Sequence, residues 1–472
     1  MSSNQRWVLG LTAVASLMVV LDALVVSTAL STMRLDLHAS LAQLEWTVNG
    51  YALSFAVLLM TGAALGDRFG RRRTLCVGVG LFVAASAGCA LSPSVGWLIA
   101  CRVLQGAGAA LVMPVALALL GATFSADSRP RALGVFAGVT GLAVPLGPLL
   151  GGVVVQGISW PWIFWLNVPT GLALIALALA RIEESHGPRV PVDGPGLVLV
   201  TGAALGIVWG LVRGNPAGWD GLEVIGSLTV GVILGIGFVA RERRASAPML
   251  PMRLFASRRF SAGNAAVFFH WGSAFGAAFF MSQFLQSGLG YGPLAAGLRL
   301  MPWGATTIVV PQPVGRLIGR FGERRFVVGG MSLHGGSMLW IALIARPHLP
   351  YTQMVLPLVL SGAGVAMSLP AAQSAVLGAV EPQDIGRASG AFSTLRQLGG
   401  AFGVAVLVAV FAGAGGYGSP QAFSDGFVAA IAAGGVLAFA AALAGSQLPG
   451  RRPAYALATA QPLPSPASQA RR

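Results

Sequence analysis

One feature recurs along the whole chain and limits what it can fold into: stretches of about twenty residues with almost no charge follow one another from end to end. A hydrocarbon core roughly 30 Å thick takes about 20 helical residues to cross, since each residue advances about 1.5 Å. Such stretches fall near residues 7–30, 45–66, 74–92, 97–120, 131–156, 161–181 and 194–212, then near 222–240, 261–286, 292–315, 326–345, 352–377, 388–412 and 424–446. Backbone exposed to lipid must satisfy its own hydrogen bonds, so each stretch is read as an α-helix and the chain as an all-α membrane protein. Composition agrees, with 55% hydrophobic and 10% charged residues over 472 positions. The first stretch is too long for a signal-peptide core and has no small-residue cleavage site behind it, which predicts a retained helix.

The basic residues are all arginine. Without lysine there is neither a Walker phosphate loop nor a Schiff-base amine, so no ATP-hydrolysing route, ATPase subunit or lysine enzyme is expected. A net charge of +15 would suit nucleic acid, but the arginines alternate with the spans. With the N-terminus in the cytoplasm, only Arg34, Arg213 and Arg346 fall in outer loops, and only Arg102, Arg299 and Arg396 inside spans. The others, Arg189 among them, collect on the cytoplasmic side, which predicts both termini cytoplasmic and no nucleic-acid partner. Cys76, Cys89 and Cys101 lie in or beside spans as small apolar residues, and no disulfide, metal site or cofactor is suggested. The lysine-free, Ala- and Gly-rich composition points to a GC-rich bacterium and its cytoplasmic (inner) membrane.

An internal repeat sets Asp67-Arg68-Phe69-Gly70-Arg71-Arg72-Arg73 against Gly319-Arg320-Phe321-Gly322-Glu323-Arg324-Arg325, and Gly106-Ala107-Gly108 with Pro114 against Gly362-Ala363-Gly364 with Pro370. The separation exceeds what two six-helix halves need, so a helix pair is inserted between them. The expected organisation is a six-helix bundle over 1–189, an inserted pair over 190–245, a second six-helix bundle over 246–448 and a disordered cytoplasmic tail over 449–472.

Four local patterns carry chemistry. Gly66-Asp67-Arg68-Phe69-Gly70-Arg71 closes the second span: Asp67 is placed to cap a helix end or pair with an arginine, and the glycines allow a tight turn. The flanking arginines serve equally as a topology signal. Asp22, a lone carboxylate in the first span, should face the protein interior and exchange a proton there, or else stay paired with an arginine. Arg102 precedes Gln105-Gly106-Ala107-Gly108 in the fourth span; counting along antiparallel helices puts it at a depth similar to Asp22, within reach. Gly134, Gly138, Gly141, Gly147, Pro148, Gly151 and Gly152 line the fifth span, where small residues allow close packing and Pro with Gly allows bending.

Together, and in this order, these patterns resemble the major facilitator superfamily, in particular its fourteen-helix drug:proton antiporter branch, over nearly the whole chain. The opening of the sixth span, Trp162, Phe164, Asn167 and Pro169, and Arg396-Gln397 in the thirteenth are similar to that branch as well. The resemblance implies proton coupling through Asp22 and Arg102, a gating motif of Gly66, Asp67, Arg68, Gly70 and Arg71, and an antiporter motif of Gly134, Gly147, Pro148, Gly151 and Gly152. It further implies export of lipophilic or amphipathic small molecules by a monomer working through alternating access. Export of a single natural product, lipid or metabolite is the alternative, and a receptor or sensor is the reading from another class.

For the substrate cavity, the ninth span is rich in rings and amides, and the candidates are Phe268, His270, Trp271 and Gln283, with Arg299 and Arg396 from other spans. His270 is either a second titrating group or a hydrogen-bonded structural histidine. Besides Asp22 only Glu45 supplies an acid near the membrane interior, which favours neutral or weakly charged substrates over doubly charged cations.

Overall fold

A computed structural model of the chain describes residues 2–125, 128–187, 193–245, 248–381 and 384–450. Arg189 and the tail from residue 451 onward lie outside the described residues. Among the described residues the secondary structure is helical, with no strand.

Among the described residues thirteen helices are long and apolar enough to cross a membrane. They are α1 (Ser3–Asp36), α2 (Leu41–Phe69), α3 (Arg71–Ala90), α4 (Val95–Thr123), α5 (Arg131–Gly157), α6 (Trp162–Arg181), α7 (Gly194–Ala217), α8 (Leu222–Arg244), α9 (Arg258–Gly288), α11 (Glu323–Ile344), α12 (Thr352–Leu377), α13 (Ile385–Ala414) and α14 (Pro420–Ser446). The remaining crossing, α10, is broken into Pro293–Val309 and Pro311–Phe321. Pro311 lacks the N–H that would continue the first piece, so neither piece spans alone. The break lies inside a crossing that the sequence presents as continuous. The fifth crossing is likewise interrupted at Leu142, between Arg129–Gly141 and Ala143–Gly157.

Helix starts are fixed by short polar residues. Ser2 with Gln5 and Ser40 with Gln43 form capping boxes, and Ser94, Ser257 and Ser419 each accept a first-turn N–H. Each cap stabilises by about 1 kcal/mol and fixes where the chain leaves the bilayer surface. The turns after α2 and α10 both depend on glycine, Gly70 at φ +106° and Gly322 at φ +81°.

The repeat seen in sequence continues into packing. A Cβ on Gly106 would overlap the Tyr51 carbonyl and Ser54 Oγ of α2, and one on Gly362 would overlap the Trp303 carbonyl and Thr306 Oγ1 of α10. Gly108 and Gly364 press in the same way on α3 and α11. Close backbone approach of this kind is how helices associate in lipid, where apolar burial alone gives no preference for protein over acyl chain.

The cores show how the halves meet. One apolar core joins them at the end of the bundle away from the described chain ends, from Val25, Leu30, Met33 and Phe164 on one side to Phe280, Phe284, Phe411 and Phe427 on the other. At the opposite end there are two separate cores, one built from α1–α6 around Phe82 and Val112, the other from α9 and the later helices around Phe260 and Phe392. The molecule is therefore sealed at one end and divided at the other. Across the seal, Gln286 Nε2 donates to the Thr28 carbonyl at 3.0 Å, Leu294 N to Gln156 Oε1 at 3.1 Å, and the Arg34 guanidinium lies 3.9 Å from the Tyr417 ring centre.

The helices α7 and α8 form a hairpin tied by the Arg213–Glu223 ion pair at 2.9 Å. Val208 and Val212 of α7 pack with Ala52 and Leu53 of α2 and with Ala401 and Ala405 of α13, so the pair touches both halves along one seam. The opposite seam is α5 against α10: a Cβ on Gly297 would fall 2.2 Å from the Pro148 carbonyl, and one on Gly152 would fall 2.6 Å from that of Pro293.

Candidate functional site

Asp22 lies a little past the middle of α1 and is 4% exposed; Arg102, two turns into α4, is 1% exposed. The fold brings them into contact. Arg102 Nη1 donates to Asp22 Oδ2 at 2.5 Å and to Gln105 Oε1 at 2.6 Å, and Arg102 Nε donates to the Thr47 carbonyl at 3.0 Å. The other carboxylate oxygen accepts from Gln105 Nε2 and from Asn167 Nδ2, both at 2.8 Å. Gln105 Nε2 also reaches Ser86 Oγ at 2.8 Å. The guanidinium lies 4.3 Å from the Tyr51 ring centre, and Tyr51 Oη donates to the Val19 carbonyl at 3.1 Å. Five helices, α1, α2, α3, α4 and α6, thus converge on one carboxylate. Water is excluded, so each contact is electrostatically strong, and loss of the negative charge would be felt by all five at once.

At the divided end, Asp67 Oδ1 accepts from Arg71 Nη2 at 2.7 Å and Nε at 2.9 Å, one turn along. Glu184, from the segment after α6, folds back over the α3 N-terminus and accepts from the Arg72 and Arg73 amides at 2.8 and 3.2 Å. An acid there meets the unpaired N–H groups and positive end of the helix dipole. Gly70 leaves room for it, since a Cβ would fall 2.6 Å from the Glu184 carboxyl carbon, and Gly66 packs on Val115 of α4. Arg68 is exposed and lies over its own neighbour Phe69, 5.2 Å from the ring centre.

The glycines of α5 divide into two groups. A Cβ on Gly147 would fall 2.6 Å from Leu24 Cβ, and one on Gly151 would fall 2.0 Å from Thr28 Oγ1; with Gly152 and Pro148 these residues sit between α1 and α10. Gly134, with Gly138 and Gly141, has nothing within 4 Å of such an atom. The expected close packing therefore does not extend to Gly134, because that segment buries Ala132 and Phe136 in the first-half core and Gly134, two residues from each, lies on its exposed face.

In the second half the expected cavity residues separate. Gln283 is fully buried in the seal, donating to the Phe279 carbonyl at 3.0 Å and accepting from Tyr417 Oη. Burial raises the Tyr417 phenol above its ordinary pKa, with the Arg34 charge opposing, so it stays a donor. Arg299 is held over Tyr291 at 3.8 Å and donates to the Ala295 carbonyl. Neither Gln283 nor Arg299 stands with the rest. His270 is 2% exposed, its Nδ1 2.6 Å from Ser368 Oγ, and its ring stacks on Trp271. Phe268 and Trp271 are half-buried, and the Arg396 guanidinium lies 5.0 Å from the Trp271 ring centre.

Residues 12–404 match the sequence profile of the Major Facilitator Superfamily. The chain belongs to this superfamily. Relatives within it include the tetracenomycin C resistance and export protein of Streptomyces glaucescens, 37% identical over 398 residues, 84% of this chain and 74% of that one. The lincomycin resistance protein of Streptomyces lincolnensis is 37% identical over 86% of this chain and 85% of its own length. The methylenomycin A resistance protein of Bacillus subtilis is 34% identical over 86% and 87%. Among solved structures, a POT family transporter in complex with 5-aminolevulinic acid superposes with a TM-score of 0.71 at 14% identity, covering 92% of this chain and 94% of that one. A D-xylose-proton symporter superposes at 0.68 with 15% identity, covering 95% and 99%. These two likenesses concern the fold.

As a major facilitator protein the chain carries several site residues that sequence reasoning passed over. Ser86 and Tyr51 complete the Asp22 network, yet a serine or tyrosine in a span is unremarkable by itself. Gln105 and Asn167 belong to the fourth- and sixth-span motifs, but nothing in the sequence places them on Asp22. Glu184 became relevant only through a fold-back spanning more than a hundred residues. In the second half a buried chain runs from the Gly434 carbonyl through Ser273 Oγ and His334 to Ser361 Oγ, the two histidine contacts being 3.0 and 2.8 Å. His334 had no signal beyond being polar within an apolar stretch.

Proposed function

We propose that this chain is a proton-coupled secondary transporter in a bacterial cytoplasmic membrane, both termini cytoplasmic, exporting lipophilic or amphipathic small molecules without chemically converting them. The observation that carries the reading is the sequestered Asp22–Arg102 pair. A carboxylate and a guanidinium with almost no exposure to water form a two-state element: with Asp22 ionised, the network of five helices is closed. With Asp22 protonated, Arg102 is left without its counter-charge. Removing one partner of a buried pair costs about 3–5 kcal/mol. Moving a two-state equilibrium from 1:99 to 99:1 takes about 5.5 kcal/mol, so one proton supplies most of that shift.

In this reading the bundles 1–189 and 246–448 rock against each other, with 190–245 attached along one seam, and the sealed and divided ends exchange roles. Gly66, Asp67, Arg68, Gly70 and Arg71 act as the latch of the divided end, and the arginine distribution supports a cytoplasmic position for that end. Gly147, Pro148, Gly151 and Gly152 form the bearing of α5 against α1 and α10. A single chain containing both halves works as a monomer, its only partners being the substrate and the lipid bilayer. The coupling ion is H+, and no cofactor is required. The names of the relatives, resistance and export proteins for tetracenomycin C, lincomycin and methylenomycin A, support export as the direction. Because each names a single compound, they also favour a second reading, a dedicated exporter of one natural product.

The test is efflux of a fluorescent lipophilic dye from cells expressing the wild type or Asp22→Asn, with and without a protonophore. Export lost on either change supports proton antiport through Asp22, whereas an Asp22→Asn protein that still pumps against a gradient refutes it. Wild-type cells indistinguishable from empty vector would leave the dedicated exporter as the better reading.

A further inference from the structure

Three arginines lie inside the apolar stretches, and the protein gives two of them hydrogen bonds, although Arg299 Nε, like that of Arg396, is buried without a partner. Arg102 has Asp22, Gln105 and the Thr47 carbonyl; Arg299 has the Ala295 carbonyl and the faces of Tyr291 and Tyr351. Arg396, near the middle of α13, has no acid within ion-pair distance and no hydrogen bond among the described residues, and its Nε is buried without a partner. Its neighbour is the Trp271 ring. Trp271 Nε1 and His270 Nε2 are buried without a hydrogen-bond partner as well. Guanidinium and indole nitrogens are donors only, and an unanswered charge in a span is costly. The cluster therefore lacks an acceptor that the protein does not supply.

Its position is suited to receiving one. Three of the four half-buried aromatic residues of α9, Phe268, Trp271 and Phe275, follow helical spacing, with Phe269 turned aside from them. Phe275 packs on the core of the seal, so Trp271 and Arg396 lie about one turn below it, where the halves part. Phe402 stands 5.3 Å from Phe268, adding a second ring to the wall. Gly400, one turn beyond Arg396, leaves space for the indole: a Cβ there would come within 3.0 Å of Trp271 Cδ1. A cation finds no free acid nearby, since Asp22 is held by Arg102, and Glu45 is fully buried on α2 against Asn49.

We infer that Arg396 and Trp271 form an anion-recognising subsite, and that the transported molecules include planar aromatic compounds bearing a carboxylate or an ionised phenol. The guanidinium meets the oxygen anion edge-on, because cation–π contact with Trp271 leaves its N–H groups free. The ligand's rings lie against Phe268 and Phe275. This names the substrate class of the transport reading above and rests on it.

The experiment is equilibrium binding to purified protein in lipid nanodiscs, with anthraquinone-2-carboxylate and its carboxamide as probes of one shape and different charge. The wild type should bind the carboxylate at least about tenfold more tightly than the carboxamide, as expected for a charge-assisted contact. Arg396→Gln should remove that preference while changing carboxamide affinity less than about threefold, and Arg396→Lys should keep part of it. Elution and melting profiles check that each variant folds. If Arg396→Gln fails to fold, Gly400→Ala, which keeps the charge and displaces the indole, should weaken the carboxylate more than the carboxamide. A wild type without preference for the carboxylate, or equal losses for both probes, overturns the inference. Asp22→Asn separates the two readings: it should stop pumping and leave the carboxylate preference intact.

Discussion

The two halves of the molecule treat their buried arginines in opposite ways. In the first half Arg102 is enclosed by a carboxylate, an amide and a carbonyl, all on protein atoms; in the second, Arg396 lies on a tryptophan face with its hydrogen bonds unmade. The halves are copies by repeat and by packing, yet the position of each charge differs: α4 carries one and α13 the other. Equivalent architecture thus holds one arginine whose partner is internal and one whose partner is missing. The first is suited to sensing protonation, since its energy depends on the charge of one carboxylate. The second is suited to contacting something that comes and goes.

The largest effect that would break this contrast is on stability. Arg102→Met leaves Asp22 buried and unpaired and should cost about 3–5 kcal/mol in denaturation of the purified protein, with Asp22→Asn in the same chain recovering a good part of it. Arg396→Met, which removes a charge that has no counter-ion, should be neutral or stabilising under the same conditions. Equal losses for the two would mean that Arg396 has an internal partner after all.

Next is the seam on which the halves turn. Gly151→Leu drives a side chain into Thr28 and should cost about 1–3 kcal/mol and most of the transport rate, while Gly134→Ala, with open space around it, should change melting by less than about 0.5 kcal/mol. Measured side by side, the two separate packing glycines from motif glycines. Smaller again is Tyr417→Phe, which removes the donor to Gln283 at the sealed end and should cost about 1 kcal/mol. The smallest is Asp67→Asn: its pair with Arg71 is partly exposed and should contribute no more than about 1 kcal/mol to stability, so a large transport defect with unchanged melting would assign it to gating.

The crossings were legible in the sequence because a bilayer demands length and apolarity that nothing else in a chain imitates. Less legible were the breaks within crossings, at Pro311 in α10 and at Leu142 in α5, which split hydropathic stretches that read as continuous. Asp22 and Arg102 were legible for the same reason, since a charge in a span stands out against its background. Their polar partners were not, because Ser86 and Tyr51 are ordinary in a membrane helix and acquire meaning only when five helices converge. Gly134 shows the converse limit: a glycine-rich motif says that close packing occurs somewhere along the helix but not on which face. For Gln283 and Arg299 residue type indicates only an affinity for polar surroundings, and the shared core is what shows that those surroundings lie at the seal.

The hairpin of α7 and α8 has a consequence for molecules already dissolved in the membrane. Lying over the α2 and α13 seam, it screens that side of the molecule from acyl chains, while the α5 and α10 seam presents Val153, Leu298 and Ile308 bare. A compound partitioned into the bilayer therefore meets one shuttered flank and one open flank, and lateral entry, where it occurs, has a single approach.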